Sequence, residues 1–254
     1  MPNIYNAPNL EAVKHAFFGR KGGFSKPPYE SLNFNIKSRD NPYNIKRNLD
    51  IAAAYYGMPG NRIVRLIQSH GALAVYVDKP SQYEITADGV VTDKKGLILG
   101  ITTADCVPVL FADYKNGVIG AAHAGWRGAL NGILESTLDL MLERGAELKN
   151  IAAAAGPCLQ KQNFEVRDDM RDLFLAQSPE NEVFFSPLDE GRYLCDLQAY
   201  VKHRLELKGV ENISLSSIDT YSDEEHYFSY RRAVHKNEIA QHGDFGIELS
   251  TISL

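Results

Sequence analysis

Residues 96–128 read GLILGITTADCVPVLFADYKNGVIGAAHAGWRG, and this stretch decides the fold. Apolar runs at 97–103, 106–112 and 118–122 are separated by polar or glycine-containing breaks, as is typical of buried strands. Residues 128–144 then carry apolar side chains at spacings of three and four, with Gly145 after them, which predicts a helix.

The rest of the chain continues this mixture of strands and helices. Helical periodicity occurs at 44–56, 165–176 and 196–208, and β-like segments occur at 62–68, 213–219 and 245–253. This distribution predicts an α+β protein with mixed β-sheets and helices outside them. Because no repeat or low-complexity linker interrupts residues 1–254, we expect one domain.

The composition narrows the class of protein. Hydrophobic residues make up 44% and charged residues 23% of the 254 residues, which is close to globular averages. The net charge is −5 and no long basic stripe occurs, which argues against nucleic acid as a partner. No stretch is apolar enough to span a membrane, and the N-terminus does not read as a secretory signal. With three cysteines, an odd number, we expect a reducing, cytoplasmic environment.

Three residues stand out by their chemistry. His70 follows the run RIVRLIQS, Cys106 lies between two apolar runs, and His123 ends the run VIGAA. Imidazole and thiolate are good zinc ligands, and three protein ligands with a further open position are typical of catalytic zinc. Each residue alone also has a structural interpretation, since free cysteines are often buried and strand-end histidines often only donate hydrogen bonds. The spacing matches no short zinc signature.

The hairpin between Cys106 and His123 limits this hypothesis. If Asn116 and Gly117 formed a two-residue turn, His123 would lie opposite Leu110, roughly 13 Å from Cys106 at about 3.3 Å per residue. A shared metal ion therefore requires another register. We predict a loop of about six residues, or a bulge at Pro108.

The segment Gly125–Gly128 comes directly after His123. Backbone N–H groups at the start of the following helix form a natural anion site, and Arg127 adds a positive charge. The alternative is a tight strand-to-helix turn with a surface arginine, and Trp126 has core packing as its ordinary role.

Several blocks together resemble a known family. The strings QSHG, ADGVVT, TTADCVPVLFAD, AAHAGWRG and GPC, with the outer blocks FFGRKGGFS, SLNF and YFSYRRA, resemble the YfiH/laccase-domain family, also called purine nucleoside phosphorylase or polyphenol oxidase family proteins. The resemblance implies metal ligands at His70, Cys106 and His123 and a layered α/β/β/α sandwich. It implies phosphorolysis of adenosine, inosine, guanosine and methylthioadenosine, and deamination of adenosine. Bacterial members are also linked to editing of peptidoglycan precursors.

This activity calls for further residues beside the metal. Cys106 and His123 would be catalytic, with Asp105 as an acid or base, although a carboxylate that caps a turn is an equal alternative. Purine nucleosides and inorganic phosphate are the expected partners. Phosphate needs cations: Arg47 matches an arginine that recurs in the family, and Arg20 and Arg127 are further candidates. Gln68 would share the face of His70 on a continuous strand. Arg231 and Arg232 are weaker candidates, and Cys158 receives no catalytic role.

Three other functions remain open. A copper-binding polyphenol oxidase would use the same two histidines and one cysteine, although no methionine flanks them as an axial ligand. Classical multicopper chemistry needs about ten histidines, many in His-x-His pairs, whereas this chain has seven and no such pair. A cysteine hydrolase would pair Cys106 with His123 and leave His70 without a role. Editing of peptidoglycan precursors is the third. Zinc is the expected metal, copper is an alternative, and we expect a monomer or weak homodimer.

Overall fold

Four sheets organise the computed structural model, which describes residues 1–80, 85–239 and 243–254. The five-stranded sheet has the spatial order β1 (Ile4–Tyr5), β2 (Lys14–Phe18), β16 (Glu248–Ser253), β8 (Ile98–Thr103) and β3 (Ile63–Val64). The six-stranded sheet has the order β15 (Asn212–Leu215), β11 (Ala152–Ala155), β9 (Val107–Asp113), β10 (Val118–Ala124), β7 (Gly89–Thr92) and β5 (Ala74–Tyr76).

Two small sheets and the helices complete the described part of the chain. The small sheets are β12 (Glu165–Arg167), β14 (Arg192–Cys195) and β13 (Phe185–Pro187), and β4 (Leu66–Ile67) with β6 (Ile85–Thr86). The helices are α1 (Pro42–Ala54), α2 (Trp126–Asn131), α3 (Ile133–Glu143), α4 (Asp168–Gln177), α5 (Leu197–Leu207) and α6 (Tyr230–His235). No described helix is both long and apolar enough to cross a bilayer.

The two large sheets pack face to face between helices. Phe17, Ile101 and Ile252 of the five-stranded sheet share one apolar cluster with Leu110 and Ile119 of the six-stranded sheet. On the outer face of the five-stranded sheet, α1 packs through residues that include Leu49, Ala52 and Ala53.

The opposite outer face lies over the six-stranded sheet. There α3 and α5 pack through residues that include Leu134, Leu138, Val201 and Leu205. The layers are therefore α/β/β/α, which confirms the predicted α+β class and sandwich.

The ends of helix α1 follow from local chemistry. Asn41 accepts a hydrogen bond from the Tyr43 N–H at 2.9 Å, and Pro42 occupies the first helical position, where its missing N–H costs nothing. Gly57 follows the helix with φ of +71°, the conformation of a helix-ending glycine. The predicted helix at 44–56 is confirmed, although it begins and ends two residues earlier.

Other predicted elements differ from the structure in their bounds. The helix predicted at 128–144 is two helices, because Gly132 has φ of +97° between α2 and α3. The strand predicted at 62–68 is divided at Arg65 into β3 and β4, which belong to different sheets. The helix predicted from 165 begins only at Asp168, after strand β12. The strand predicted at 213–219 ends at Leu215, and the strand at 245–253 begins at Glu248.

Candidate metal centre

Cys106 and His123 come together through the pairing of β9 with β10. Val118 lies opposite Asp113 and His123 opposite Pro108, so His123 is two residues from the level of Cys106. The connection is a four-residue loop, 114–117, in which Asp113 accepts hydrogen bonds from the backbone and side chain of Asn116. The predicted change of register is confirmed, but its predicted cause was wrong, since the loop is shorter than six residues and the pairing continues past Pro108 without a bulge.

Cys106 sits at a change of sheet. Residues 104–106 join β8 of the five-stranded sheet to β9 of the six-stranded sheet, and Cys106 is half-buried there. His123, on β10, is buried. One ligand of the candidate centre is therefore held in the sheet interior and one at the sheet junction.

His70 reaches the same place from a loop. It lies three residues after β4, is exposed, and has φ of +59°, a left-handed conformation that is uncommon for a non-glycine residue. Its ring centroid is 4.7 Å from that of His123. Together the ligand atoms of His70, Cys106 and His123 lie within 4.8 Å of one another.

The donor set fits a metal ion. Two imidazoles and one thiolate are the ligand types that zinc and copper both accept, and a site with three protein ligands leaves a position for a reacting group. Gly125 contributes by having no side chain, because a Cβ there would lie 2.6 Å from His70 Nδ1 and 3.2 Å from Cys106 Sγ. The glycine after His123 therefore allows the backbone to pass close to the cluster.

A buried carboxylate, which the sequence analysis did not identify as functional, supports His123. The distance from Asp88 Oδ1 to His123 Nδ1 is 2.8 Å, and no part of Asp88 is exposed. Burial alone would raise the pKa of Asp88, but hydrogen bonds from His123, Gly71 and Ser69 lower it to about 2. The sequence signal for Asp88 is the block ADGVVT, one of those that carry the family resemblance.

The cysteine and histidine influence each other's protonation. Burial alone would raise the pKa of the Cys106 thiol, but the charge of His123 and hydrogen bonds with both histidines lower it. Burial alone would lower the pKa of His123, but the Cys106 thiolate and Asp88 raise it. Without a metal the pair therefore tends toward thiolate and imidazolium, and metal binding must release the proton of His123.

Asp105 turns its carboxylate to another part of the chain. Its oxygens accept hydrogen bonds from the Thr220 hydroxyl at 2.7 Å, the Ser229 hydroxyl at 3.0 Å and the Arg231 N–H at 2.6 Å. These contacts fix residues 220–231 against the junction between β8 and β9. They correspond to the structural interpretation of Asp105, and its role as an acid or base stays a prediction.

A cavity of about 690 Å³ adjoins the cluster and is lined by His70, Cys106 and His123. Gln68 and Arg127 line the same cavity, as does the weaker candidate Arg231. Gln68 donates to the Thr102 carbonyl at 2.7 Å and accepts from the Thr102 N–H at 2.8 Å, so its amide bridges to β8. The Arg127 guanidinium lies 4.1 Å from the Trp126 ring centre and is exposed.

The other arginine candidates do not line this cavity. The Arg20 guanidinium donates to the carbonyls of Glu30 and Glu224 and lies 4.6 Å from the Phe228 ring centre. Arg47 lies 3.2 Å over the Phe24 ring. Arg232, on α6, is buried and donates to the carbonyls of Thr220 and Tyr227 in the segment before that helix. A phosphate role for Arg20 and Arg47 stays a prediction that the geometry of the cavity does not support.

Fold and site together define the class: an α/β/β/α sandwich with a His/Cys/His cluster, compatible with a metal ion, at the junction of its two sheets. The chain belongs to the family described as multi-copper polyphenol oxidoreductase laccase, whose sequence model matches residues 14–252. A Deinococcus radiodurans protein named purine nucleoside phosphorylase is 39% identical over 229 residues, 90% of this chain and 87% of that protein. The Escherichia coli protein named purine nucleoside phosphorylase YfiH is 34% identical over 89% of this chain and 90% of its own length.

Solved structures show the same fold. A Neisseria meningitidis protein of family DUF152 superposes with a TM-score of 0.88 and 31% identity, covering 100% of this chain and 98% of that one. YlmD from Geobacillus stearothermophilus gives a TM-score of 0.89 with 28% identity, covering 97% of this chain and 93% of that one. The predicted family membership is confirmed.

Proposed function

We propose that this protein is a zinc-dependent purine nucleoside phosphorylase that also deaminates adenosine. The observation that carries the proposal is the opening of the His70, Cys106 and His123 cluster into a cavity of about 690 Å³, within the usual range for small-molecule sites. The names of the Deinococcus radiodurans and Escherichia coli relatives support the phosphorylase activity.

The walls of the cavity suit a purine. Trp126, Phe164, Tyr230 and Phe245 line it, and the rings of Tyr230 and Phe245 lie 4.9 Å apart. Flat aromatic side chains bury a purine ring without demanding one pattern of base hydrogen bonds. The proposal therefore extends to adenosine, inosine, guanosine and methylthioadenosine.

The charge of the cavity suits phosphate. Among the described residues around it, the cationic side chains are Lys37, Arg65, Arg127 and Arg231, and the only carboxylate is that of Asp105. The described lining therefore carries more cationic side chains than carboxylates. A positively charged cavity in a chain of net charge −5 favours an anionic co-substrate.

The reaction then needs few groups. A phosphate oxygen attacks C1′ of the ribose, the bond from C1′ to the base nitrogen breaks, and the base leaves with that electron pair and takes up a proton. Arg127 would hold the phosphate in line, and the aromatic walls would hold the base. Zinc, when bound by the three ligands, supplies Lewis-acid chemistry that also suits the addition of water to C6 and loss of ammonia in deamination.

Product analysis tests the proposal. Purified protein is incubated with each nucleoside, with and without phosphate, before and after removal of zinc by a chelator, and the products are separated by chromatography. We expect ribose 1-phosphate and free base only with phosphate and zinc, and inosine from adenosine without phosphate. Base release that is equal without phosphate would identify a hydrolase. Activity that survives loss of the metal would favour the cysteine hydrolase that uses Cys106 and His123.

The visible spectrum after copper loading distinguishes the zinc proposal from the copper alternative. Blue-copper sites of this ligand type have an intense visible band near roughly 600 nm. Met141 of α3 and Met170 of α4 belong to the apolar core, and neither lines the cavity beside the candidate metal centre, where an axial ligand would be needed. We expect a colourless protein after copper loading, and a strong blue band that depends on Cys106 would contradict this.

The phosphate site is tested by exchanging arginines. Arg127→Ala should raise the apparent KM for phosphate roughly tenfold to a hundredfold, since a hydrogen bond to a charged group contributes about 1.5 to 3 kcal/mol. Arg144→Ala is the matched control, because Arg144 also stacks on an aromatic ring at 4.1 Å but is exposed outside the cavity. Arg47→Ala tests the prediction from sequence, and a larger effect there than at Arg127 would refute this assignment.

A further inference from the structure

Asp88 connects the two segments that carry the histidine ligands. It directly precedes β7, which pairs with β10, the strand of His123. Its backbone carbonyl accepts the His123 N–H at 2.7 Å, and its side chain is fully buried beside the His123 ring. One residue therefore contacts the backbone and the side chain of a candidate ligand.

The same carboxylate holds the loop of His70. Oδ1 accepts the His70 N–H at 3.0 Å as well as His123 Nδ1, while Oδ2 accepts the Gly71 N–H at 2.8 Å and both the N–H and the hydroxyl of Ser69 at 3.1 Å. Five donors from two separate segments converge on one side chain. The left-handed conformation of His70, unfavourable for a residue with a Cβ, is held by these contacts.

The chemistry of a carboxylate fixes the histidine tautomer. An ionised carboxylate only accepts hydrogen bonds, so His123 Nδ1 must carry the hydrogen between them. The nitrogen left for a metal is then Nε2. Partners of this kind orient metal ligands in many sites and make them more basic.

We propose that Asp88 is a positioning residue that keeps a hydrogen on His123 Nδ1, so that Nε2 is the nitrogen left for the metal, and that holds the loop conformation of His70. The inference rests on the metal centre of the proposed function but not on the reaction. It assigns a role to a residue outside both the candidate ligand set and the lining of the cavity.

Asparagine cannot replace Asp88 in either orientation. With its NH₂ group at the position of Oδ2, it would face three donors from Ser69 and Gly71. With the NH₂ group at Oδ1, it would face the His70 N–H and would force His123 Nδ1 to accept, which moves the hydrogen to Nε2. The second arrangement blocks the nitrogen that binds the metal, although the change of volume is very small.

Zinc affinity tests the inference without measuring activity. Zinc binding to Asp88→Asn is measured by competition with a chromogenic chelator, and folding is checked by circular dichroism. We expect affinity to fall roughly tenfold to a hundredfold. Asp113→Asn is the matched control, since Asp113 is equally buried and accepts hydrogen bonds from Asn116 and from the Glu147 N–H at 2.8 Å, but lies at the far end of β9. We expect it to lose stability and keep its zinc affinity.

A second measurement uses the unchanged protein. In the zinc-loaded form with ¹⁵N-labelled histidine, the His123 signals should show a protonated Nδ1 and a metal-bonded Nε2. A metal bond at Nδ1, or zinc affinity of Asp88→Asn equal to that of the unchanged protein, would overturn the inference. If Asp88→Asn does not fold, the histidine signals decide alone. Zinc binding with these properties but without phosphorolysis would refute the proposed function and leave the inference standing.

Discussion

Cys106 occupies the point at which the chain leaves one large sheet for the other. The neighbouring side chains of His70 and His123 stabilise its thiolate and lower the pKa of the thiol. The other described cysteines have the opposite surroundings, since Cys158 and Cys195 are fully buried and burial raises the pKa of each thiol. A thiolate is the form that binds metal, so only Cys106 is prepared for it.

Removing this thiolate should release the metal and leave the fold intact. Cys106→Ala is expected to contain no zinc by elemental analysis and to keep its circular dichroism spectrum, because Cys106 is half-buried outside the apolar clusters. Cys158→Ala is the control, expected to keep one zinc per chain and to lose roughly 0.5 to 3 kcal/mol of unfolding free energy. A full complement of zinc in Cys106→Ala would contradict the ligand assignment.

Zinc affinity should also depend on Gly125, although this glycine offers no donor atom. Gly125→Ala places a Cβ 2.6 Å from His70 Nδ1, and overpacking of this kind costs about 1 to 3 kcal/mol, so zinc affinity should fall roughly tenfold to a hundredfold. Gly71→Ala is the comparison, since its Cβ would meet no atom closer than 3.4 Å. Chelator competition measures both, and equal affinities in the two variants would show that the close approach is unimportant.

The three residues of the cluster could be predicted from the sequence, but Asp88, which holds two of them in place, could not. His70, Cys106 and His123 are recognisable because soft and imidazole ligands at strand ends are chemically distinctive. Asp88 is an ordinary aspartate before a glycine, and its contacts bridge residues 35 positions apart along the chain. Arg47 was predicted from the family resemblance and Arg20 from its charge, and neither reveals which carbonyl or aromatic ring a guanidinium will contact.

At the scale of elements, the break at Gly132 matters most for the site. It ends α2, which carries Trp126 and Arg127 into the cavity, and begins α3, which packs on the six-stranded sheet. The two helices can therefore take different directions. Apolar spacing alone predicted one helix, since the periodicity continues across the break and a glycine within a helical pattern is often tolerated.

Substitutions of Gly132 test whether the break between α2 and α3 needs its left-handed backbone conformation. Gly132→Ala should destabilise the protein by about 1 to 2 kcal/mol, because its φ of +97° is unfavourable for a residue with a Cβ. The nearest atom to that Cβ is Glu135 Oε2 at 3.5 Å, so steric overlap adds nothing. Gly132→Asn should retain more stability, since asparagine tolerates left-handed conformations better. Urea unfolding measures both, and full stability of the alanine variant would show that the break is not required.

Short strands were the least predictable elements. Residues 62–68 read as one strand, but the chain changes sheets at Arg65 and divides it into two-residue strands. Periodicity records which side chains are buried and not which sheet buries them. The hairpin of β9 and β10 was better constrained, because one chemical requirement, a shared metal, selected its register.

At the scale of the whole molecule, the central strand β16 carries an unusual acid. Glu248 is buried, its Oε1 accepts the Phe228 N–H, and its Oε2 has no hydrogen-bond partner among the described residues. Burial, with a further contribution from Asp105, raises the pKa of Glu248 well above its usual value, against the Phe228 hydrogen bond and Arg20. The Glu248 side chain, on the central strand of its sheet, therefore favours its neutral, protonated form.

Stability should therefore fall with rising pH because of this residue. The pKa of Glu248 is higher in the folded than in the unfolded state, where it is about 4.3, so its contribution to stability is fully present below that value. The contribution is lost as pH rises through the folded pKa. The free energy of unfolding then falls by up to about 1.4 kcal/mol per pH unit. Glu248→Gln should remove this slope in urea unfolding from pH 5 to 8. Glu211→Gln, which changes an exposed glutamate, is the control. Parallel pH profiles of Glu248→Gln and the unchanged protein would contradict this account.

The position of β16 also governs how the molecule can be made. Thr251 lies beside Ala16, 235 residues away in the sequence, and β16 fills the place between β2 and β8. While the ribosome is still synthesising the chain, β2 and β8 each present an unpaired edge, the kind of surface on which strands of other molecules add. Closing so distant a pair is slow, and β16 is synthesised only after both of the strands that it joins. The nascent protein is therefore most exposed to aggregation until β16 has been synthesised and has paired with both edges.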